Sequence, residues 1–205
     1  MSKYFNLHPN NPQQRIINQI VDIIRKGGLM VYPTDSCYAL GCQIGNKTAM
    51  ERMSKIRQID KEHNFTLVCG DLSEIATYAK VNNSAFRLMK AQTPGPYTFI
   101  LEATHEVPRR LQNPKRKTIG LRVPDHAIPH AILEALGEPI MSTTLIMPDK
   151  DLPESEPDII RELLEKQVDV IIDGGQCGFE PTTVIDMISE QPQILRLGKG
   201  ESDIF

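Results

Sequence analysis

Hydroxyl-bearing and cationic side chains recur at the ends of short apolar runs in this 205-residue sequence. Tyr32-Pro33-Thr34-Asp35-Ser36 follows one such run, and Lys55-x-Arg57 closes a helical stretch a few residues before His63-Asn64. Gly120-Leu121-Arg122-Val123 puts an arginine inside another run. Met141-Ser142-Thr143-Thr144, Pro181-Thr182-Thr183 and Ile194-Leu195-Arg196-Leu197 complete the set. Such groups neutralise and orient a small anionic ligand, and ligands collect where the strands of an α/β sheet stop. Each motif alone has an ordinary local explanation. Thr34-Asp35-Ser36 makes a turn of the Asx type readily, and cations at a helix C-terminus complement the helix dipole. Lys55 and Arg57 point in different directions on a helix and converge only where its end frays. Arg122 is costly within an apolar strand unless it is partnered; a fixed acidic partner and an anionic ligand both remain open.

Other chemistries find no support. There is no GxxxxGK[ST], GxGxxG or GxSxG pattern, and no Ser/His/Asp or Cys/His set. The four cysteines at 37, 42, 69 and 177 form no CxxC and match no zinc spacing. They read as buried or half-buried free thiols of a reducing compartment, which makes the cytoplasm the expected location.

The elements that must position these groups alternate between helix and strand. Ile16, Ile17, Ile20, Val21, Ile23 and Ile24 give Pro12–Lys26 one apolar helical stripe, closed by Gly27-Gly28. Strands are expected at 29–32, 38–42, 65–69, 97–101, 118–123, 140–144, 168–172, 182–187 and 193–197. Helices are expected at 47–57, after Asp71 with Glu74 at the capping-box position, near 84–91, at 128–136 capped by Gly137, and at 156–166. Pro94-Gly95-Pro96 is a firm turn. No composition break or repeat divides the chain. One α/β domain spanning 1–205 is expected, with a large mixed sheet.

Composition narrows the partners. The hydrophobic fraction is 40% and the charged fraction 24%, as in a globular protein. Aromatics are 5% with no tryptophan, so broad base-stacking platforms lack material. No run approaches the ~20 apolar residues of a membrane span, so no membrane partner is expected. A net charge of −3 excludes a uniformly basic surface. A local basic patch is still present in Arg109, Arg110, Lys115, Arg116 and Lys117.

Taken in order, YPTDSCYALGC, KIR followed by His63-Asn64-Phe65, TPGPYTFIL, IGLRVPDH, STT, PTTVID and ILRLG resemble the YrdC-like family, most of all its YciO branch, over residues 10–200. The resemblance implies a twisted open mixed sheet flanked by helices, with a basic concave cavity. The family includes threonylcarbamoyl-AMP synthases, nucleotidyltransferases that take ATP, L-threonine and bicarbonate and serve tRNA N6-threonylcarbamoyladenosine modification. By that resemblance Thr34, Ser142 and Thr182 hold threonine, with His63 beside it. Lys55 and Arg57 are the catalytic pair facing the triphosphate, and Thr118, Thr144 and Arg196 face the nucleotide. Arg122 faces both ligands. Lys55, Arg57, Arg122 and Arg196 should then line one concave face. Mg2+ would bridge phosphates, with protein ligands unassigned. Phosphoryl-centre chemistry of this kind asks for neutralised charge and positioning rather than a nucleophilic side chain. The sequence departs from the synthases in three places. Ile146 stands where they carry the Asn of an S-x-N motif, no Ser-Pro-Thr element occurs in Met147–Pro153, and His63-Asn64-Phe65 replaces a Lys/His-Pro-Leu element. Weak nucleotide binding and slow synthesis are expected from the first. The alternative is a non-catalytic module that binds double-stranded RNA, tRNA or nucleotide through the cavity and the 109–117 patch.

Overall fold

The computed structural model describes residues 1–59, 63–189 and 191–203. Ten strands form along them: β1 Lys3–Asn6, β2 Met30–Tyr32, β3 Ala39–Gln43, β4 Thr66–Val68, β5 Tyr97–Glu102, β6 Thr118–Arg122, β7 Ile140–Thr144, β8 Val170–Asp173, β9 Thr183–Asp186 and β10 Gln193–Arg196. The helices are α1 Gln14–Arg25, α2 Lys47–Arg57, α3 Leu72–Tyr78, α4 Asn83–Gln92, α5 Ala127–Leu136 and α6 Pro157–Leu164, with a 3-10 turn at Arg109–Leu111. All ten strands join one mixed sheet in the order β1-β8-β2-β3-β7-β4-β6-β5-β9-β10. The expected α/β class and open mixed sheet are what the chain adopts.

Local chemistry sets the helix ends. Asn46 accepts the Ala49 N–H at 2.9 Å at the start of α2, and Asp71 accepts the Glu74 N–H at 2.8 Å at the start of α3. Glu74 reaches back to the Gly70 N–H at 2.6 Å, one residue before the capping-box partner. The ring nitrogen Nδ1 of His126 accepts the Ile128 N–H at 3.2 Å and caps α5, which ends at Gly137 with φ 76°. A left-handed residue there favours glycine.

Strand alternation divides the core between the two faces of the sheet. In β2, Met30 and Tyr32 join α1 and α5 on one face, while Val31 joins the other core with α2, α4 and α6. β8 repeats this, with Val170 and Ile172 on the α1/α5 face and Ile171 on the opposite one. In β5 and β6, Tyr97, Phe99, Leu101, Ile119 and Leu121 pack into the second core. Their alternates Thr98, Ile100, Thr118, Gly120 and Arg122 face a cavity instead.

Two local differences from expectation stand out. No element is expected before Pro12, yet β1 pairs in parallel with β8 at the sheet edge. Lys3-Tyr4-Phe5-Asn6 has no apolar run to announce it. Long-range contacts hold it: Tyr4 donates to Asp173 Oδ2 at 2.9 Å, and the Arg161 guanidinium lies 4.8 Å from the Tyr4 ring centroid. The 109–117 segment is also not a free basic loop. Arg110 donates to the Gly45 carbonyl, and Arg116 pairs with Asp186 at 2.6 Å.

The four cysteines are free, three buried and Cys177 half-buried. Burial pushes the thiols of Cys42 and Cys177 up to about 12. They are protonated and inert, as expected of structural thiols. No helix among the described residues is long and apolar enough to cross a membrane.

Candidate functional site

The cavity has a volume of about 400 Å³ and opens over the face of β6, β5 and β9 that joins no helix core, with Thr66 and Val68 of β4 at its side. Its floor is hydroxyl-rich because polar residues occupy alternate positions there. Thr66 comes from β4, Thr118 from β6, Thr98 from β5 and Ser142 and Thr144 from β7. Gly120 keeps the floor low: a Cβ there would stand 3.2 Å from Thr98 Cγ2 and 3.3 Å from Thr66 Oγ1.

Four guanidinium groups line the cavity, those of Arg57, Arg116, Arg122 and Arg196, and no carboxylate side chain joins the described lining. Two of the four have acidic partners behind the wall. Arg122, 8% exposed, pairs with Asp35 from the β2–β3 loop, and Arg116 pairs with Asp186. Among the described residues the other two have only backbone carbonyls and a hydroxyl as partners. Arg57 donates to the Ile146 carbonyl, and Arg196 to the Thr182 carbonyl at 2.8 Å and Thr182 Oγ1 at 3.4 Å. Burial lowers the affinity of both these guanidiniums for their protons. An anion entering the cavity would relieve that penalty. Nε of Arg57, Nε of Arg122 and Oδ2 of Asp35 are buried without a hydrogen-bond partner. Buried polar atoms of this kind are costly unless a ligand or water completes them.

The structure gathers most of the sequence-selected residues. Arg57, His63, Thr118, Arg122, Ser142, Thr144, Thr182 and Arg196 all line the cavity. Lys55 does not: it is exposed and lies outside the lining. The helix stays regular through Arg57 and turns only at Gln58, φ 49°. Residues two apart on a regular helix point away from each other, so Arg57 enters and Lys55 leaves. Thr34 also lies outside the lining, behind Arg122. Its hydroxyl donates to the Cys37 carbonyl at 2.7 Å and receives Arg122 Nη2 at 3.4 Å. The same hydroxyl accepts the Ser36 and Cys37 N–H groups at 3.2 Å, so the expected side-chain turn is made by Thr34 rather than Asp35, and Thr34 braces the arginine. Of the basic patch, only Arg116 reaches the cavity; Arg109, Arg110, Lys115 and Lys117 lie outside it.

Some groups carry no role in the sequence reading. Asp35, the partner of Arg122, sits inside a quoted motif yet carries no mark of its role. Asn64 and Asn113 line the mouth and join each other at 3.2 Å. Thr143 bonds His63 Nε2 at 3.0 Å, and the His63 ring meets Phe65 edge-on with centroids 5.3 Å apart. One signal was available for the floor: Thr98 interrupts the apolar run Tyr97–Leu101, and Thr118 and Gly120 alternate with Ile119 and Leu121. Ile146 lines the cavity, so the departure from S-x-N falls on a wall position. The described residues contain no group of three or more metal-ligating side chains.

Comparison with known proteins gives this arrangement its relatives. The Sua5/YciO/YrdC family model, described as telomere recombination, matches residues 22–198. The chain is 60% identical over its full 205 residues to the uncharacterized protein YciO of Escherichia coli (strain K12), all of which is covered. It is 59% identical to an uncharacterized protein of Haemophilus influenzae, again over the whole of both chains. The crystal structure of E. coli YciO superposes with a TM-score of 0.97 over the whole of both chains. P. abyssi Sua5, solved in complex with L-threonine, superposes at a TM-score of 0.88 with 25% identity, over 96% of this chain and 58% of that one. The chain belongs to the Sua5/YciO/YrdC family, whose members include relatives of threonylcarbamoyl-AMP synthase.

Proposed function

We propose that the cavity binds a nucleoside triphosphate beside an amino acid, and that the protein is an ATP-dependent nucleotidyltransferase of the threonylcarbamoyl-adenylate type with weakened nucleotide binding. One observation carries this reading. Four arginines line a cavity whose described residues include no carboxylate, and Arg57 and Arg196 have no acidic partner among the described residues. Such a site has charge to place against a polyphosphate, which is what phosphoryl-centre chemistry demands. The likeness to a Sua5 that binds L-threonine supports an amino acid as the second ligand.

In this reading Arg57 and Arg196 meet the phosphates, with Thr118 and Thr144 orienting them. Arg122, Ser142 and Thr182 hold the amino acid, and Thr34 braces Arg122. Ser142 Oγ bonds Tyr32 Oη at 2.7 Å, and Thr182 Oγ1 bonds Thr98 Oγ1 at 2.8 Å, so both hydroxyls are fixed in place. Bicarbonate supplies the carbamoyl carbon, and the product feeds tRNA modification. Lys55 reaches the phosphates only if the end of α2 rearranges. RNA binding through the 109–117 patch is the weaker reading, since Arg110 and Arg116 are held by contacts within the protein.

The test is pyrophosphate release from ATP and bicarbonate, scanned across amino acids. Release that depends on threonine supports the proposal. Absence of release together with salt-sensitive binding of duplex RNA would replace it with the binding module.

A further inference from the structure

Among the described residues lining the cavity are guanidiniums, hydroxyls, two asparagines and apolar side chains, but only one group that changes charge near neutral pH, His63. Its Nε2 is 3.0 Å from Thr143 Oγ1 on β7, and its ring is set edge-on by Phe65 at an interplanar angle of 80°. An imidazole held from two sides and facing a cationic cavity is a positioned proton acceptor. The guanidiniums of the described lining cannot accept protons.

An amino acid arrives as an ammonium ion, and nitrogen without a lone pair cannot be carboxylated. We propose that His63 is a catalytic base that removes this proton. The inference rests on the reading of the cavity as an amino-acid and nucleotide site. In the step, the ammonium N–H bond breaks and its proton passes to the imidazole, leaving the electron pair on nitrogen. That pair forms the N–C bond to bicarbonate. The C–OH bond of bicarbonate then breaks, and the departing hydroxide takes a second proton from nitrogen and leaves as water. The imidazolium later returns its proton to solvent. The net change is one ammonium and one bicarbonate giving one carbamate, one water and one proton. Thr143 is the positioning residue, because its hydroxyl fixes which way the imidazole presents its nitrogen.

The experiment follows threonine- and bicarbonate-dependent pyrophosphate release across pH 5.5–9.5 in the wild type, His63→Gln, His63→Ala and Thr143→Val, with ATP affinity measured by calorimetry in each. The wild-type rate should fall on the acid side as one group protonates. His63→Gln should lose about 10²–10⁴-fold at neutral pH, keep ATP affinity within about twofold, and recover toward wild type above about pH 9, where amines deprotonate unaided. Added imidazole should partly restore His63→Ala and leave His63→Gln unmoved. Thr143→Val should show a smaller loss with an unchanged acid limb. A His63→Gln deficit equal at every pH, or no imidazole rescue, overturns the base role while leaving the synthase reading intact. A wild type that binds ATP but releases no pyrophosphate at any pH overturns the reading of the cavity, and the base role falls with it.

Discussion

The two halves of the sheet are built from similar strands and differ in what covers them. β8, β2 and β3 are packed on both faces, with α1 and α5 on one side and α2 and α6 on the other. Their residues are apolar at successive positions, as in Val170-Ile171-Ile172, where all three are buried to 0% exposure. β6, β5 and β9 are packed on one face only, and so is β4 at Thr66, its Val68 still joining the α1/α5 core. Their alternate residues include Thr66, Thr98 and Thr118, and the uncovered face becomes the cavity. A continuous apolar run thus marks the half that holds the fold together, and an interrupted run marks the half that can hold a ligand. Arg122 is the extreme of the second type. It is as buried as a core residue, yet Asp35 must balance its charge from a loop 87 positions away in sequence.

Removing that balance should give the largest single effect. Arg122→Ala leaves Asp35 buried and unpaired, at a cost of about 3–5 kcal/mol. The double change Arg122→Ala with Asp35→Asn should recover most of this in thermal unfolding. Neither protein should gain stability from ATP, whereas the wild type should gain about 2.7 kcal/mol at a hundredfold excess over Kd. Equal ligand-induced shifts in wild type and Arg122→Ala would show that the guanidinium faces no ligand. In the doubly covered half, Ile171→Ala should cost about 2–5 kcal/mol through its cavity. Its ligand-induced shift should match that of the wild type. If Ile171→Ala also weakened ATP binding, the two halves would not be separable.

Much of this division is legible in the sequence, and the part that is not has a physical reason. Local rules place every helix: Asn46, Asp71 and Gly137 are caps by residue type, and four buried apolar residues of α1 fall on one stripe. Short apolar or alternating runs place every strand but β1, and Thr98 and Thr118 hint at the floor. Pairing across long separations is invisible to such rules. Nothing in Tyr4 announces β8, and nothing in Asp35 announces Arg122. β4 lies between β6 and β7 although 49 residues or more separate it from either partner. Lys55 shows the opposite failure. The motif pairs it with Arg57, but helix geometry sends the two side chains apart.

A mid-sized effect belongs to the cavity wall. Ile146 cannot hydrogen-bond a nucleotide, and an asparagine there can. Ile146→Asn should tighten ATP binding by about 1.5–3 kcal/mol, or roughly ten- to a hundredfold, and raise pyrophosphate release. Thermal stability without ligand should move by less than about 1.5 kcal/mol, since the position borders the cavity rather than the packed core. Calorimetric titration of both proteins decides the matter: a wild type that already binds as tightly as the variant shows that the departure is harmless. The change acts in the singly covered half, so it should alter binding and not the midpoint.

The smallest effect lies where the two halves meet. His126 follows Arg122 by four residues and starts α5, the helix that covers the other half. Its Nδ1 must be unprotonated to accept the Ile128 N–H. Burial holds its pKa below the ordinary histidine value and outweighs Asp35 and Asp125, which raise it; His130 and Arg122 lower it further. Because the folded protein binds this proton less readily than the unfolded chain, stability must fall as pH drops from about 6.5 through the folded-state value. It should be constant above that window as far as this group is concerned. The protonated ring also gives up the cap, a contribution of about 1 kcal/mol. His126→Asn keeps a capping oxygen that does not titrate in this range. Its midpoint should match the wild type at pH 7.5 and exceed it at pH 5.5. Parallel loss of stability in both proteins would move the titration elsewhere and leave the junction of the two halves indifferent to pH.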